Sequence, residues 1–189
     1  KAFANPGLFS RGQTWAAQDF SLTLKPGSRI GLKGPSGSGK STIALMASGL
    51  LRPTSGTLLV DGQNTATWPA ARWRRARQTL QILFQDPLCM LNPECTLLDN
   101  LKESQTIHNT KVDLQDLMGK LSIGHLANQR PHTMSGGELR RASLARALSV
   151  SPQILIADEP AVGLDMHLKA DILRALLEHL APESALVVI

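Results

Sequence analysis

Tyrosine is absent from this 189-residue sequence, and aromatics of all kinds reach only 4%. Single-strand nucleic-acid binders interleave basic side chains with stacking rings, so the scarcity argues against a base-stacking groove. Cysteine is scarce as well. Cys89 and Cys95 are too few for a disulfide scaffold, and their separation fits no common zinc pattern. The five histidines form no ligand pair at helical spacing. All seven residues therefore read as structural or surface positions, and a reducing cytoplasm is expected. No apolar run approaches the roughly 20 residues that span a bilayer, and no signal-peptide pattern opens the sequence. Any link to a membrane then goes through a partner. Acidic residues are outnumbered, leaving a net charge of +5 that suits anionic partners, nucleotides and lipid headgroups included, without choosing among them. The densest basic cluster, Arg72, Arg74, Arg75 and Arg77, reads as a solvated helix face or a nucleic-acid contact. With so few aromatics the solvated face is preferred, and no nucleic-acid partner is expected.

What is present is 42% hydrophobic residues, enough for one sizeable domain with a buried core. Phe20 to Leu24 alternates apolar and polar residues as a half-buried strand does. After the Pro26-Gly27 turn, Arg29 to Leu32 forms a short strand running into a glycine-rich loop. Ser41 to Leu51 are strong helix formers, stopped by Arg52-Pro53-Thr54-Ser55-Gly56. Thr57 to Val60 is a strand closed by Asp61-Gly62. Ala70 to Gln78 reads as a helix and Leu80 to Phe84 as a strand. Leu97 to Glu103, Leu114 to Leu121 and Glu138 to Val150 are helical. Ile154 to Ala157 returns to a buried strand, Leu168 to Leu180 is a helix, and Leu186 to Ile189 a final strand. The pattern is a mixed α/β core with a helical insertion. Because Lys1 opens the sequence and a buried strand ends it, the sequence is expected to be part of a longer chain.

Three segments carry phosphate chemistry. Gly34-Pro35-Ser36-Gly37-Ser38-Gly39-Lys40-Ser41, followed by Thr42, satisfies the phosphate-loop pattern, with a strand before it and a helix after. Its glycines let backbone amides turn inward around phosphate oxygens, and the helix adds its positive dipole end. Lys40 is expected to reach the β- and γ-phosphates of ATP, and the Ser41 hydroxyl to ligate Mg2+. Asp158 and Glu159 end an apolar strand, which places both carboxylates at the carboxyl edge of the sheet. Asp158 would hold Mg2+ through water, and Glu159 would polarise the attacking water. Ser135-Gly136-Gly137 opens the helix near Glu138. It reads either as a second anion site with exposed amides or as an N-cap, since Glu138 lies in capping-box register. ATP needs one cradle, so two phosphate sites in one chain argue for a head-to-tail dimer. Thr110-Lys111-Val112-Asp113 matches a guanine-reading pattern but follows a polar stretch, so chance is the better account.

Together these motifs resemble the nucleotide-binding subunits of ABC transporters, over essentially the whole sequence. The resemblance implies an α/β P-loop NTPase (RecA-like) core with an antiparallel β edge and an inserted α-helical subdomain. Residues 1–87 would be the first part of the core, 88–151 the helical subdomain with the signature motif, and 152–189 the second part of the core. Ser135-Gly136-Gly137-Glu138 looks like the family's signature, continued by Arg146-Ala147-Leu148. Gln85 falls at the glutamine that senses Mg2+ and couples to the membrane subunit. Asp165, in Gly163-Leu164-Asp165, falls at the loop joining the two subunits' sites. Phe3 is the candidate for stacking on adenine, with Phe9 as the alternative. Phe84-Gln85-Asp86-Pro87, then Leu91-Asn92-Pro93 and Pro131-His132, are similar to importers of di- and oligopeptides, nickel and metal chelates.

The resemblance thus implies an ATPase that energises such an importer, as a homodimer or a heterodimer with a paralogous ATPase. Its partners would be integral-membrane permease subunits and, through them, a substrate-binding protein, with the chain held peripherally at the cytoplasmic face of the inner membrane. The rival readings are an ABC-type ATPase acting on ribosomes or DNA, and a nucleotide-binding module that does not hydrolyse ATP. Three departures stand out. Glu138 and Arg140 replace the two glutamines usual in the signature segment, which adds a carboxylate near the opposite γ-phosphate. Gly163 replaces an alanine. The switch histidine of the family falls beyond Ile189, so this 189-residue piece is expected to bind ATP and hydrolyse it poorly.

Overall fold

The structure is a computed structural model that describes residues 1–4, 13–161 and 166–189. In chain order the described elements are strands β1 (Ala2–Ala4), β2 (Gln13–Trp15) and β3 (Arg29–Gly31), then helix α1 (Lys40–Ala47). Strands β4 (Leu59–Val60) and β5 (Gln63–Asn64), helix α2 (Ala70–Thr79) and strand β6 (Leu80–Leu83) follow. Helices α3 (Leu97–His108), α4 (Leu114–Lys120) and α5 (Gly136–Leu148) come next. The chain then runs through strand β7 (Ile154–Ala157), helix α6 (Met166–His179) and strand β8 (Ala185–Val188).

Branched aliphatic runs without alternation are the mark of strands covered on both faces. Four strands form a parallel sheet in the order β3-β8-β7-β6. Successive residues serve opposite faces, as strand periodicity requires. Leu155 and Leu186 join the larger core under α3 to α6, whereas Ile156 and Val187 pack with Ala44 of α1. Leu97, Leu101, Leu144 and Leu176 are fully buried on the first side. At roughly 1.5–3 kcal/mol for each fully buried aliphatic side chain, this helical layer supplies most of the burial that holds the sheet flat against it. The register puts Gly31 beside Val188, Val188 beside Ala157, and Ala157 beside Leu83. The carboxyl ends of all four strands therefore form one row, the edge at which ligands bind in open parallel sheets.

This is the α/β phosphate-loop core that the sequence predicts, with corrections at its edges. Phe20 to Leu24 is not a strand: among the described residues none pairs with it, and Phe20 and Leu22 stay 42% exposed. The antiparallel edge is instead two separate pairs, β1 with β2 and β4 with β5. The strand expected over Thr57 to Val60 is only Leu59–Val60. Helix α1 stops at Ala47 rather than Leu51, because Gly49 takes a left-handed φ of +70°. Helix α3 runs on from Glu103 to His108 until Asn109 turns left-handed, with Gln105 donating to the Val112 carbonyl at 2.7 Å. Helix α5 begins two residues earlier than expected, at Gly136. Asp113 caps α4 by accepting from the amides of Gln115 and Asp116, which accounts for the guanine-like string without any nucleotide.

Candidate functional site

Gly34 to Gly39 links the end of β3 to the start of α1, so the loop lies on the row of strand ends. It is tightened by a bond from the Ser38 amide to the Pro35 carbonyl at 3.2 Å. Gly39 caps the helix in the left-handed region with φ +87°, and an added Cβ would stand 1.6 Å from the Ala16 carbonyl oxygen. The segment after β2 therefore braces the loop from outside. Lys40 folds back, its Nζ donating to the carbonyls of Gly34 and Pro35 at 3.1 and 2.9 Å. The ammonium is thus held over the loop, where a phosphate offers it a stronger, anionic acceptor. Thr42 follows in the first turn of α1.

Across the row, Ser41 Oγ donates to Asp158 Oδ1 at 3.1 Å. Asp158 is 7% exposed and sits one residue beyond β7, its amide bonded to the Leu83 carbonyl at 2.8 Å. A hydroxyl and a buried carboxylate oxygen side by side at the mouth of a phosphate loop are hard donors. They fit Mg2+, which takes one or two protein oxygens and completes its shell with water and phosphate. Glu159 follows on the same edge with φ +47°, a left-handed conformation uncommon for a residue other than glycine. Its amide donates to the Ile189 carbonyl at 3.1 Å, so the strained turn is anchored to the chain beyond β8. Gln85 lies exposed two residues beyond β6, in the turn that leads into the 3-10 helix Pro87–Met90. The structure thus brings Lys40, Ser41, Asp158, Glu159 and Gln85 to one edge.

Among the described residues no hydrogen bond ties Ser135, Gly136 or Gly137 to that edge. Ser135 caps α5 in a full capping box with Glu138. Its amide and hydroxyl both donate to Glu138 Oε2, at 2.8 and 2.7 Å. His125 Nε2 stands 3.5 Å from the other carboxylate oxygen. These bonds hold the Glu138 carboxyl below its ordinary range, Ser135 contributing most and His125 less. Of the two readings open for this segment, the cap is formed. The anion site is not thereby lost, because a Cβ at Gly136 would meet nothing within 4 Å, leaving the helix start open. The backbone of Phe3 lies in β1, but its side chain, all of Phe9, and Gly163 to Asp165 lie outside the described residues.

Two features escape the sequence reading. Asn100, 1% exposed, accepts from the Asn92 amide at 2.7 Å and donates to the Asn92 and Thr96 carbonyls at 3.1 and 2.9 Å. It pins the Leu91-Asn92-Pro93 segment. A lone Asn inside a helical run carries no sequence signal for this. Leu91 and Pro93 then line a groove of about 440 Å³ with Leu88, Pro131, His132 and Leu139. The two stretches singled out in sequence, 91–93 and 131–132, both contribute to the lining of one apolar groove.

Known proteins agree with this geometry. A family model described as ABC transporter matches residues 17–162. The oligopeptide transport ATP-binding protein AppF of Bacillus subtilis is 35% identical over 187 residues, covering 94% of this chain and 56% of that protein. OppF of Salmonella typhimurium is 35% identical over 182 residues, covering 92% and 54%. The chain therefore spans about half the length of the curated relatives it matches. Among solved structures, the dimeric post-hydrolysis state of the ATP-binding cassette MJ0796, bound to ADP and Pi, superposes with a TM-score of 0.84. It is 25% identical, over 100% of this chain and 83% of that one. The cbiO1 of Clostridium perfringens, part of the ABC transporter complex cbiONQ, gives 0.76 at 26% identity, over 92% and 70%. With the family model matched over residues 17–162, and with the cassette fold shared with the solved structures, the chain belongs to the ABC transporter family as an ATP-binding cassette.

Proposed function

We propose that this chain binds and hydrolyses ATP to energise an importer of peptides, with nickel or a metal chelate as the other cargo class its sequence admits. The observation that carries the reading is the Ser41–Asp158 hydrogen bond at 3.1 Å, which joins the phosphate loop to the strand-end acids. Lys40 leaves its two loop carbonyls for the β- and γ-phosphates, and Phe3 stacks on adenine. Ser41, Asp158 and Gln85 hold Mg2+, which when bound neutralises charge on the phosphate oxygens. Glu159 accepts hydrogen bonds from the attacking water and aligns it with the γ-phosphorus.

Ser135 to Gly137 completes the site of a second subunit, identical or paralogous, and Asp165 lies at their junction. Among the described residues no helix is long and apolar enough to cross a membrane, so the membrane-spanning work falls to permease subunits. The groove between 88–93 and 131–139 is the surface offered to them, since its lining residue Leu88 follows Gln85 by three positions and Met134 directly precedes Ser135. The chain would then sit peripherally at the cytoplasmic face, with a substrate-binding protein supplying cargo from the far side. Support for peptides comes from the relatives named for oligopeptide transport.

The test is Glu159→Gln in the intact protein. ATP binding measured by nucleotide titration should stay within about threefold, while turnover falls by at least about a hundredfold, the scale of losing a general base. Undiminished turnover sinks the assignment of Glu159. Co-purification from native membranes should recover an integral-membrane permease, and recovery of ribosomes or DNA-bound proteins in its place would overturn the importer.

A further inference from the structure

Ser135 has two hydrogen-bond donors, its amide and its hydroxyl, and Glu138 Oε2 takes both. The Glu138 amide in turn donates to Ser135 Oγ at 3.4 Å. In the signature segment, then, both Ser135 donors that a phosphate oxygen would use are already taken by an ionised carboxylate. The same carboxylate has a second oxygen, Oε1, and this one faces His125 Nε2 at 3.5 Å. His125 belongs to the 3-10 turn Gly124–Leu126, outside α5, and its side chain is 64% exposed. The two oxygens of one carboxylate thus look toward two different partners.

We propose that Glu138 gates the signature serine as a positioning residue, standing in for the phosphate until nucleotide displaces it, and that His125 receives the displaced carboxylate. Two anions cannot share the same pair of donors without strong repulsion, so an arriving γ-phosphate and Glu138 exclude one another. A displaced carboxylate left without a partner would oppose closing of the sandwich. His125 removes that obstacle, because it already stands beside Oε1 and only the side-chain torsions of Glu138 need change. The Ser135 bonds that hold the Glu138 carboxyl low keep it charged at neutral pH, so the competitor is a full anion. The neighbouring charges on α5, Arg140 and Arg141, remain on the helix in either position. The proposal rests on the reading that Ser135 contacts the nucleotide of the opposite subunit.

The experiment measures kcat and KM for ATP, with melting temperature, in the intact protein and in Ser135→Ala, Glu138→Gln, His125→Ala and the Glu138→Gln/His125→Ala pair. Glu138→Gln should lower KM about fivefold, since a neutral amide competes less well than a carboxylate for the same donors. His125→Ala should raise KM by about threefold, because the displaced carboxylate loses its receiver. The pair should behave as Glu138→Gln alone, for without the carboxylate His125 has nothing to receive. Additive effects in the pair overturn the gate. So does a Glu138→Gln protein that loses kcat and melting temperature together with no fall in KM, which is the signature of a cap and nothing more. His125 is exposed, so its variant reads out the gate even where the capping change weakens α5. Ser135→Ala with unchanged kinetics overturns the opposite-subunit reading and the gate together. Loss in Ser135→Ala beside unchanged KM in Glu138→Gln and His125→Ala overturns the gate alone.

Discussion

Gly39 meets two demands at once, a left-handed φ of +87° and a carbonyl oxygen 1.6 Å from where its Cβ would be. Gly37 meets only the first, with φ +79° and open space around it. Gly37→Ala should therefore cost about 1 kcal/mol of backbone strain. Gly39→Ala should cost at least about 2 kcal/mol, because backbone at Ala16 must move as well, and should also weaken ATP binding by displacing the loop from α1. Urea unfolding of the two variants checks this, and equal losses would mean that Ala16 does not brace the loop. The chemistry of single residues is the part most legible in sequence. Ser41 and Asp158 lie 117 positions apart, yet the phosphate-loop pattern and the acid after an apolar run each point to Mg2+, and the structure joins them. Glu138 was legible in only one direction. Its spacing from Ser135 predicts the capping box, but nothing in the string reveals that both Ser135 donors converge on one oxygen, or that His125, thirteen residues away, faces the other.

Helix ends and lone polar residues were harder to read. The run Ser41 to Leu51 has good helix formers throughout, and Arg52-Pro53 looks like the stop. Gly49 ends α1 first: its amide bonds the Met46 carbonyl at 3.0 Å and the Leu50 amide bonds Leu45 at 2.9 Å, a Schellman closure. The face of the Trp73 ring, within 2.0–2.7 Å of a would-be Cβ, seals the choice of glycine, and that contact is tertiary. Phe20 to Leu24 fails for the same kind of reason, since alternation supplies a face but a ladder needs a partner that lies elsewhere in the chain. His108, in the last turn of α3, carries a testable electrostatic consequence. A helix C-terminus favours a cation. Burial first, and the Arg146 guanidinium second, outweigh it and hold His108 below its ordinary 6.5. Its Nδ1 finds no hydrogen-bond partner among the described residues. The unfolded chain then takes up the proton first. The stability that neutral His108 contributes is complete above pH 6.5 and is lost as pH falls from there through the lower folded value. Melting temperature should decline across that window, and His108→Gln should flatten the slope. Glu138, whose carboxyl is held below 4.5, acts only in a more acid range and leaves the two effects separable. An unchanged slope in His108→Gln would place the titration on another group.

At the scale of the whole molecule, one fact organises the rest: the chain carries a phosphate loop on its sheet edge and a second open helix start, at Ser135, with no hydrogen bond between the two among the described residues. An isologous two-fold contact, in which the loop of each copy meets the Ser135 helix start of the other, closes into a symmetric pair. The cassette on which this chain superposes at a TM-score of 0.84 is itself dimeric. Complementation between two dead variants reads the arrangement directly. Lys40→Ala removes the loop's ammonium and keeps the signature, whereas Ser135→Ala removes the signature hydroxyl and keeps the loop. Within one mixed dimer both lesions fall on the same composite site, and the other site is intact. If sites work independently, an equal mixture should recover about a quarter of normal turnover, since half the dimers are mixed and each has one working site. Two sites that must fire together would give recovery of ATP-dependent pairing without turnover, seen as a concentration-dependent shift in size by light scattering. A mixture as inert as its components in both measurements would mean that two copies of this chain do not complete each other's sites, and the partner for Ser135 would then have to be a paralogous loop.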